Sequence, residues 1–70
     1  MEIKEVIKQY RANKIMSQEE LCKEIDISVP TLKAIENGNF CNMSIMLKGK
    51  VIKFLKNKKI DINNIEDISI

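Results

Sequence analysis

The sequence predicts an all-α fold, and three observations carry that expectation. Of the 70 residues, 44% are hydrophobic and 31% charged, too apolar a mixture for disorder, while two glycines and one proline are too few for a sandwich of short strands. Apolar residues recur at three- and four-residue spacing in several separate stretches, the period of a helix with one buried face. Ser17, Ser28 and Ser44 each stand just ahead of such a stretch, where a hydroxyl caps the unpaired amides of a first turn. A chain this short makes one small domain, 1–70, near the size at which a single core is marginal and a second copy often adds stability.

The first helix holds Ile3, Val6, Ile7 and Tyr10 on one face and runs to about Asn13. Ser17 followed by Glu20 is a capping box and opens a second helix whose Leu21 and Ile25 share a face. Asp26-Ile27-Ser28 breaks that run. Ser28 caps a third helix with Pro30 in its first turn, where the missing amide hydrogen costs nothing, and Leu32 and Ile35 form its apolar stripe. Asn37-Gly38 stops it, since glycine accepts the left-handed conformation after a helix. Asn39 to Met43 read as a polar connection. Ser44 then caps a fourth helix, about 44–57, with Ile45, Val51, Ile52, Phe54 and Leu55 on a broad apolar face and Gly49 as a weak point worth about 1 kcal/mol against alanine. Asp61 caps a short fifth helix, about 62–68, whose Ile62, Ile65 and Ile68 give an apolar surface for a second copy of the chain.

The centre of the chain, 17–38, is therefore two short capped helices joined by a tight turn, the layout that sets its second helix in the major groove of DNA. Other function classes lose support. No apolar run approaches the ~18 residues of a membrane span, and no apolar signal region follows Met1, so a cytoplasmic protein is expected. With Cys22 and Cys41 as the only cysteines and no histidine, a metal site and a bound cofactor are not expected. Cys22 reads as a small core residue; Cys41 reads as a free thiol rather than a redox sensor, with only Lys48 as a nearby cation. No nucleophile–base set and no glycine-rich phosphate loop points to an enzyme, and nothing points to a small-molecule ligand.

The chain resembles the lambda-repressor-like, Xre/Cro-type helix-turn-helix regulators over nearly its full length. The resemblance rests on Ile7-Lys8-Gln9-Tyr10-Arg11, Ser17-Gln18-Glu19-Glu20-Leu21 and Ile35-Glu36-Asn37-Gly38. It implies a compact five-helix domain that binds double-stranded DNA, usually as a homodimer. It implies base-facing roles for Val29, Pro30, Thr31 and Lys33 at the start of the recognition helix, and phosphate contacts by Gln18 and Asn37. It also implies a structural ion pair between Arg11 and Glu36. Two positions depart from the family pattern: Cys22 stands where alanine is usual, and Asp26 where glycine is usual at the turn. Cysteine fits an alanine-sized site with mild crowding, and aspartate tolerates a left-handed position.

The base-facing set departs further. Val29 and Pro30 have no side-chain hydrogen-bonding group, so bidentate contacts to purines are thin, and their apolar edges with the Thr31 methyl suit thymine methyl groups. Net charge is only +2, but Lys48, Lys50, Lys53, Lys56, Lys58 and Lys59 crowd into one helix and its exit, while 60–70 carry only acids. Some of these lysines, Lys48 among them, can lie on phosphates flanking the groove; the plainer alternative is a solvated face. The leading expectation is a sequence-specific DNA-binding transcriptional regulator, a dimeric repressor of an A/T-rich two-fold site. The alternative is a helix-turn-helix protein-interaction module, an antitoxin or anti-regulator acting on a protein partner.

Overall fold

A computed structural model describes residues 1–67, in which four α-helices and two single 3-10 turns follow one another with no strand among the described residues. The helices are α1 (Ile3–Lys14), α2 (Gln18–Ile25), α3 (Val29–Glu36) and α4 (Ile45–Asn57), with 3-10 turns at Phe40–Asn42 and Ile62–Asn64. Each boundary has a local cause. The Ser17 amide donates to Glu20 Oε1 at 2.9 Å and the Glu20 amide to Ser17 Oγ at 3.2 Å, closing the capping box of α2. The Ser17 amide first, and a hydrogen bond from the Ser17 hydroxyl second, hold the Glu20 carboxyl below its ordinary range. Ser28 Oγ accepts the Thr31 amide at 3.4 Å and Ser44 Oγ the Leu47 amide at 3.3 Å, fixing the starts of α3 and α4. Asp26 takes the left-handed turn position at φ 71°, and Gly38 follows α3 at φ 92°.

Packing against α3 holds the fold together: α1 and α2 both rest on it, and α4 rests on α2. Their apolar stripes meet in one core of Ile3, Ile7, Leu21, Leu32, Ile35, Val51 and Leu55, with Tyr10 edge-on to Phe54 at 5.2 Å between ring centroids. Two short helices become stable because each buries its narrow stripe on this shared surface.

Three expectations are corrected. The connection after Gly38 is not wholly polar, because its 3-10 turn swings Phe40 fully into the core. Ile45 is 75% exposed rather than part of the apolar face, since it occupies the first position of α4 and points away from the helices beneath. Among the described residues the fifth helix is only the turn Ile62–Asn64, which leaves four α-helices there. Asp61 does cap it, accepting the Asn63 amide at 3.0 Å, but isoleucine and asparagine are weak helix formers and Ile65 is already extended. The residues that follow pair elsewhere: the Glu66 amide donates to the Met1 carbonyl at 3.0 Å, and the Asp67 side-chain Oδ1 accepts the Ile3 amide at 2.8 Å, capping α1 from a residue distant in sequence. Ile68 lies outside the described residues.

Ile15, which ends α1, is a β-branched residue at φ 54° and is 92% exposed. That conformation costs about 1–2 kcal/mol for an L-residue with a side chain, and no packing offsets it. Replacing Ile15 by glycine should therefore raise the unfolding free energy by about 0.5–1 kcal/mol, the strain relieved less the chain entropy glycine adds. A denaturant titration checks this; a loss of stability would show that the isoleucine side chain makes contacts that matter.

Candidate nucleic-acid interface

The exposed surface of α3 is formed by Pro30, Lys33 and Asn37, at three- and four-residue spacing along one face. This face carries no carboxylate: the one acid of α3, Glu36, is 6% exposed and turned inward. Lys33 makes no ion pair within the described residues and extends into solvent. Thr31 is half-buried, and its hydroxyl lies 2.7 Å from Ser28 Oγ, so the group is engaged in the cap while its methyl is left to other contacts. Val29 is half-buried and packs on the core, leaving only part of its surface outward. The four residues assigned to base contact thus share one end of one helix but differ in reach: Pro30 and Lys33 stand clear, Val29 and Thr31 are recessed.

Behind this face the buried Glu36 carboxylate gathers three helices. Arg11 Nε donates to Oε2 at 2.9 Å and Nη2 to Oε1 at 3.2 Å, a two-pronged contact, while Nη1 donates to the Met16 carbonyl at 3.3 Å. Gln18 Nε2 donates to the same Oε1 at 3.1 Å. Gln18 was assigned to phosphate; the structure ties its nitrogen end to Glu36. Every buried side-chain nitrogen or oxygen has a partner among the described residues. The sequence shows the Arg11–Glu36 pair only through family resemblance, and no spacing signal reveals that Gln18 joins it.

The lysines of α4 and its exit divide into groups. Lys50 pairs with Asp26 at 3.3 Å and also donates to the Asp26 carbonyl at 3.1 Å, bracing the turn before α3. Lys58 pairs with Glu24 at 3.1 Å, and the hydrogen bond and charge of Glu24, in that order, raise its pKa. Lys48 is half-buried with its ammonium 6.0 Å from the Phe40 ring centroid, a cation–π contact. Lys53, Lys56 and Lys59 are exposed. Charge crowding in the sequence therefore overstates the free cations, since part of it holds α4 to α2.

Cys41 is exposed, and its Sγ lies 3.8 Å from the Asp67 carbonyl. Cys22 is 5% exposed, and burial, followed by the charges of Glu19 and Glu36, holds its thiol above the ordinary value, which keeps it protonated at neutral pH. Of the three isoleucines assigned to a dimer contact, Ile65 is 5% exposed in the core of its own chain and Ile62 is half-buried against that core. Folding of 62–67 back onto α4 and the start of α1 accounts for this, and the assignment of Ile65 is corrected accordingly. Two clefts, of about 500 Å³ between α2 and α4 and about 300 Å³ between α1 and 60–65, lie off the α3 face. A helix that reads a groove protrudes into it and needs no cavity.

No helix among the described residues is long and apolar enough to cross a membrane. Residues 7–40 match a family model described as Helix-turn-helix, a span that takes in Arg11, Gln18, all of α2 and α3, and Phe40. Nothing matches among curated proteins or among solved structures.

Proposed function

With residues 7–40 a helix-turn-helix of the Xre/lambda-repressor-like family, a DNA-binding family, we propose that this protein is a sequence-specific transcriptional regulator that lays α3 in the major groove of an A/T-rich site. The observation that carries the reading is the α3 face itself: exposed, free of carboxylates, and held in place by the Glu36 network behind it. Pro30 and the accessible edges of Val29 and Thr31 meet thymine methyl groups, and Lys33 reaches a guanine O6/N7 pair or a phosphate. Asn37 and the Gln18 side chain, aimed by Glu36, contact the backbone, with Lys48 as a further candidate; groove shape and deformability supply the rest of the discrimination.

The protein acts as a dimeric repressor in this reading, with two copies of α3 meeting half-sites about 34 Å apart. With Ile65 inside its own core, the apolar side chains open to a second copy among the described residues include the outer part of Ile62 and the exposed Ile45 and Met46. Those same exposed groups, with Ile15, favour the second reading, a protein-interaction module, and salt dependence separates the two: phosphate contacts weaken steeply with salt and apolar contacts do not.

Substituting uracil for thymine in the bound half-site removes only methyl groups. It should weaken binding at one or two positions by roughly 1 kcal/mol each, the size of one methyl-scale contact, and Val29→Ala should weaken it comparably without adding to the uracil effect. Full affinity for the all-uracil half-site would show that the apolar edge of α3 does not touch the bases.

A further inference from the structure

We infer that Lys4, in the first turn of α1, is an additional DNA-backbone contact at the C-terminal end of the recognition helix; this rests on the DNA-binding reading above. The side chain of Lys4 lies along Gly38: a Cβ built there would stand 3.6 Å from Lys4 Cδ and 3.8 Å from its ammonium nitrogen. Gly38 directly follows Asn37, the last residue of the exposed Pro30–Lys33–Asn37 row, so the Lys4 ammonium prolongs that row beyond the helix end.

Dimensions support the placement. At 1.5 Å per residue, Pro30 to Asn37 spans about 10 Å, close to the ~12 Å width of the major groove. A helix that places its first turn on bases therefore brings its last turn to the phosphates of one groove wall. The glycine matters in turn, because its φ of 92° suits a residue without a side chain and leaves only backbone between Lys4 and Asn37.

Competing charges at this end are accounted for. Lys4 lies 3.6 Å from Glu2 Oε1, but both side chains are partly open to water, 39% and 48% exposed, so the pair is screened and exchanging that carboxylate for a phosphate costs little. Glu5 accepts the Glu2 amide, Glu66 accepts the Met1 ammonium and Asp67 accepts the Ile3 amide, so these carboxylates lie near Lys4 in the first turn of α1 but are each engaged by an amide or by the ammonium.

The test is the salt dependence of binding to a duplex selected by the wild-type protein, compared among wild type, Lys4→Gln, Lys4→Arg and Lys33→Ala, with exposed Lys23→Gln as control. Loss of one phosphate contact lowers the slope of log affinity against log salt by about 0.9, so Lys4→Gln should show that drop, Lys4→Arg should restore the slope, and Lys23→Gln should match wild type. If Lys4→Gln matches wild type while Lys33→Ala weakens binding, Lys4 is not a backbone contact and the reading of α3 stands. A drop that arginine does not restore also overturns the assignment, since a phosphate contact needs only the charge within reach. If wild type selects no duplex, the DNA-binding reading fails first and takes this contact with it.

Discussion

Replacing Glu36 by alanine lowers the unfolding free energy by about 2–4 kcal/mol, because the substitution strands groups that three helices supply. Arg11 loses both prongs of its carboxylate contact, and Gln18 loses the acceptor for its amide nitrogen. Removing one partner of a buried pair leaves the other charge desolvated, which costs about 3–5 kcal/mol in a closed interior. Arg11 is partly exposed, 27% at the side chain, so water recovers some of that loss and the lower part of the range applies. For a chain of this size each kcal/mol moves the midpoint by roughly 4–8 °C, so a fall of about 8–32 °C is expected in thermal unfolding. A change no larger than that of Lys23→Ala, on the exposed side of α2, would remove the network from the account of what holds α3 in place.

Ile65→Ala should cost about 2–4 kcal/mol, the loss of a buried isoleucine and the cavity it leaves between the tail, α1 and α4. The informative feature is its dependence on protein concentration. A core residue destabilises the single chain, so the shift in midpoint should be the same at low and high concentration; an intersubunit residue gives a shift that changes with concentration. A concentration-dependent loss, with the dilute protein unaffected, would return Ile65 to the interface between copies.

The helices were legible in the sequence because their causes are local. Ser17, Ser28 and Ser44 each cap the helix they precede, Asp26 takes the left-handed turn, and Gly38 follows the end of α3. What escaped depends on contacts distant in sequence. Periodicity at 62–68 suggested a helix, yet Glu66 and Asp67 pair with Met1 and Ile3, and no local pattern announces a partner more than sixty residues away. Phe40 sits among Asn39, Cys41 and Asn42, so its polar neighbours concealed a fully buried ring. Ile45 fitted the apolar stripe by spacing but lies in the opening turn of α4, beyond the edge of the core. In the candidate site, the start and end of α3 were readable and the reach of its side chains was not. Recession of Val29 and Thr31, and the tie from Gln18 to Glu36, follow from how α3 seats on α1 and α2.

Whether the outer face of α3 reads DNA is decided by selecting bound duplexes from a random pool at two salt concentrations, with wild type and Lys33→Ala in parallel. The expected result is enrichment of an A/T-rich, two-fold symmetric site with half-sites about one helical turn apart, affinity that falls steeply with salt, and a weakened or altered base preference for Lys33→Ala. No enriched sequence at either salt concentration, or an enriched site that Lys33→Ala binds with unchanged affinity and preference, would contradict it.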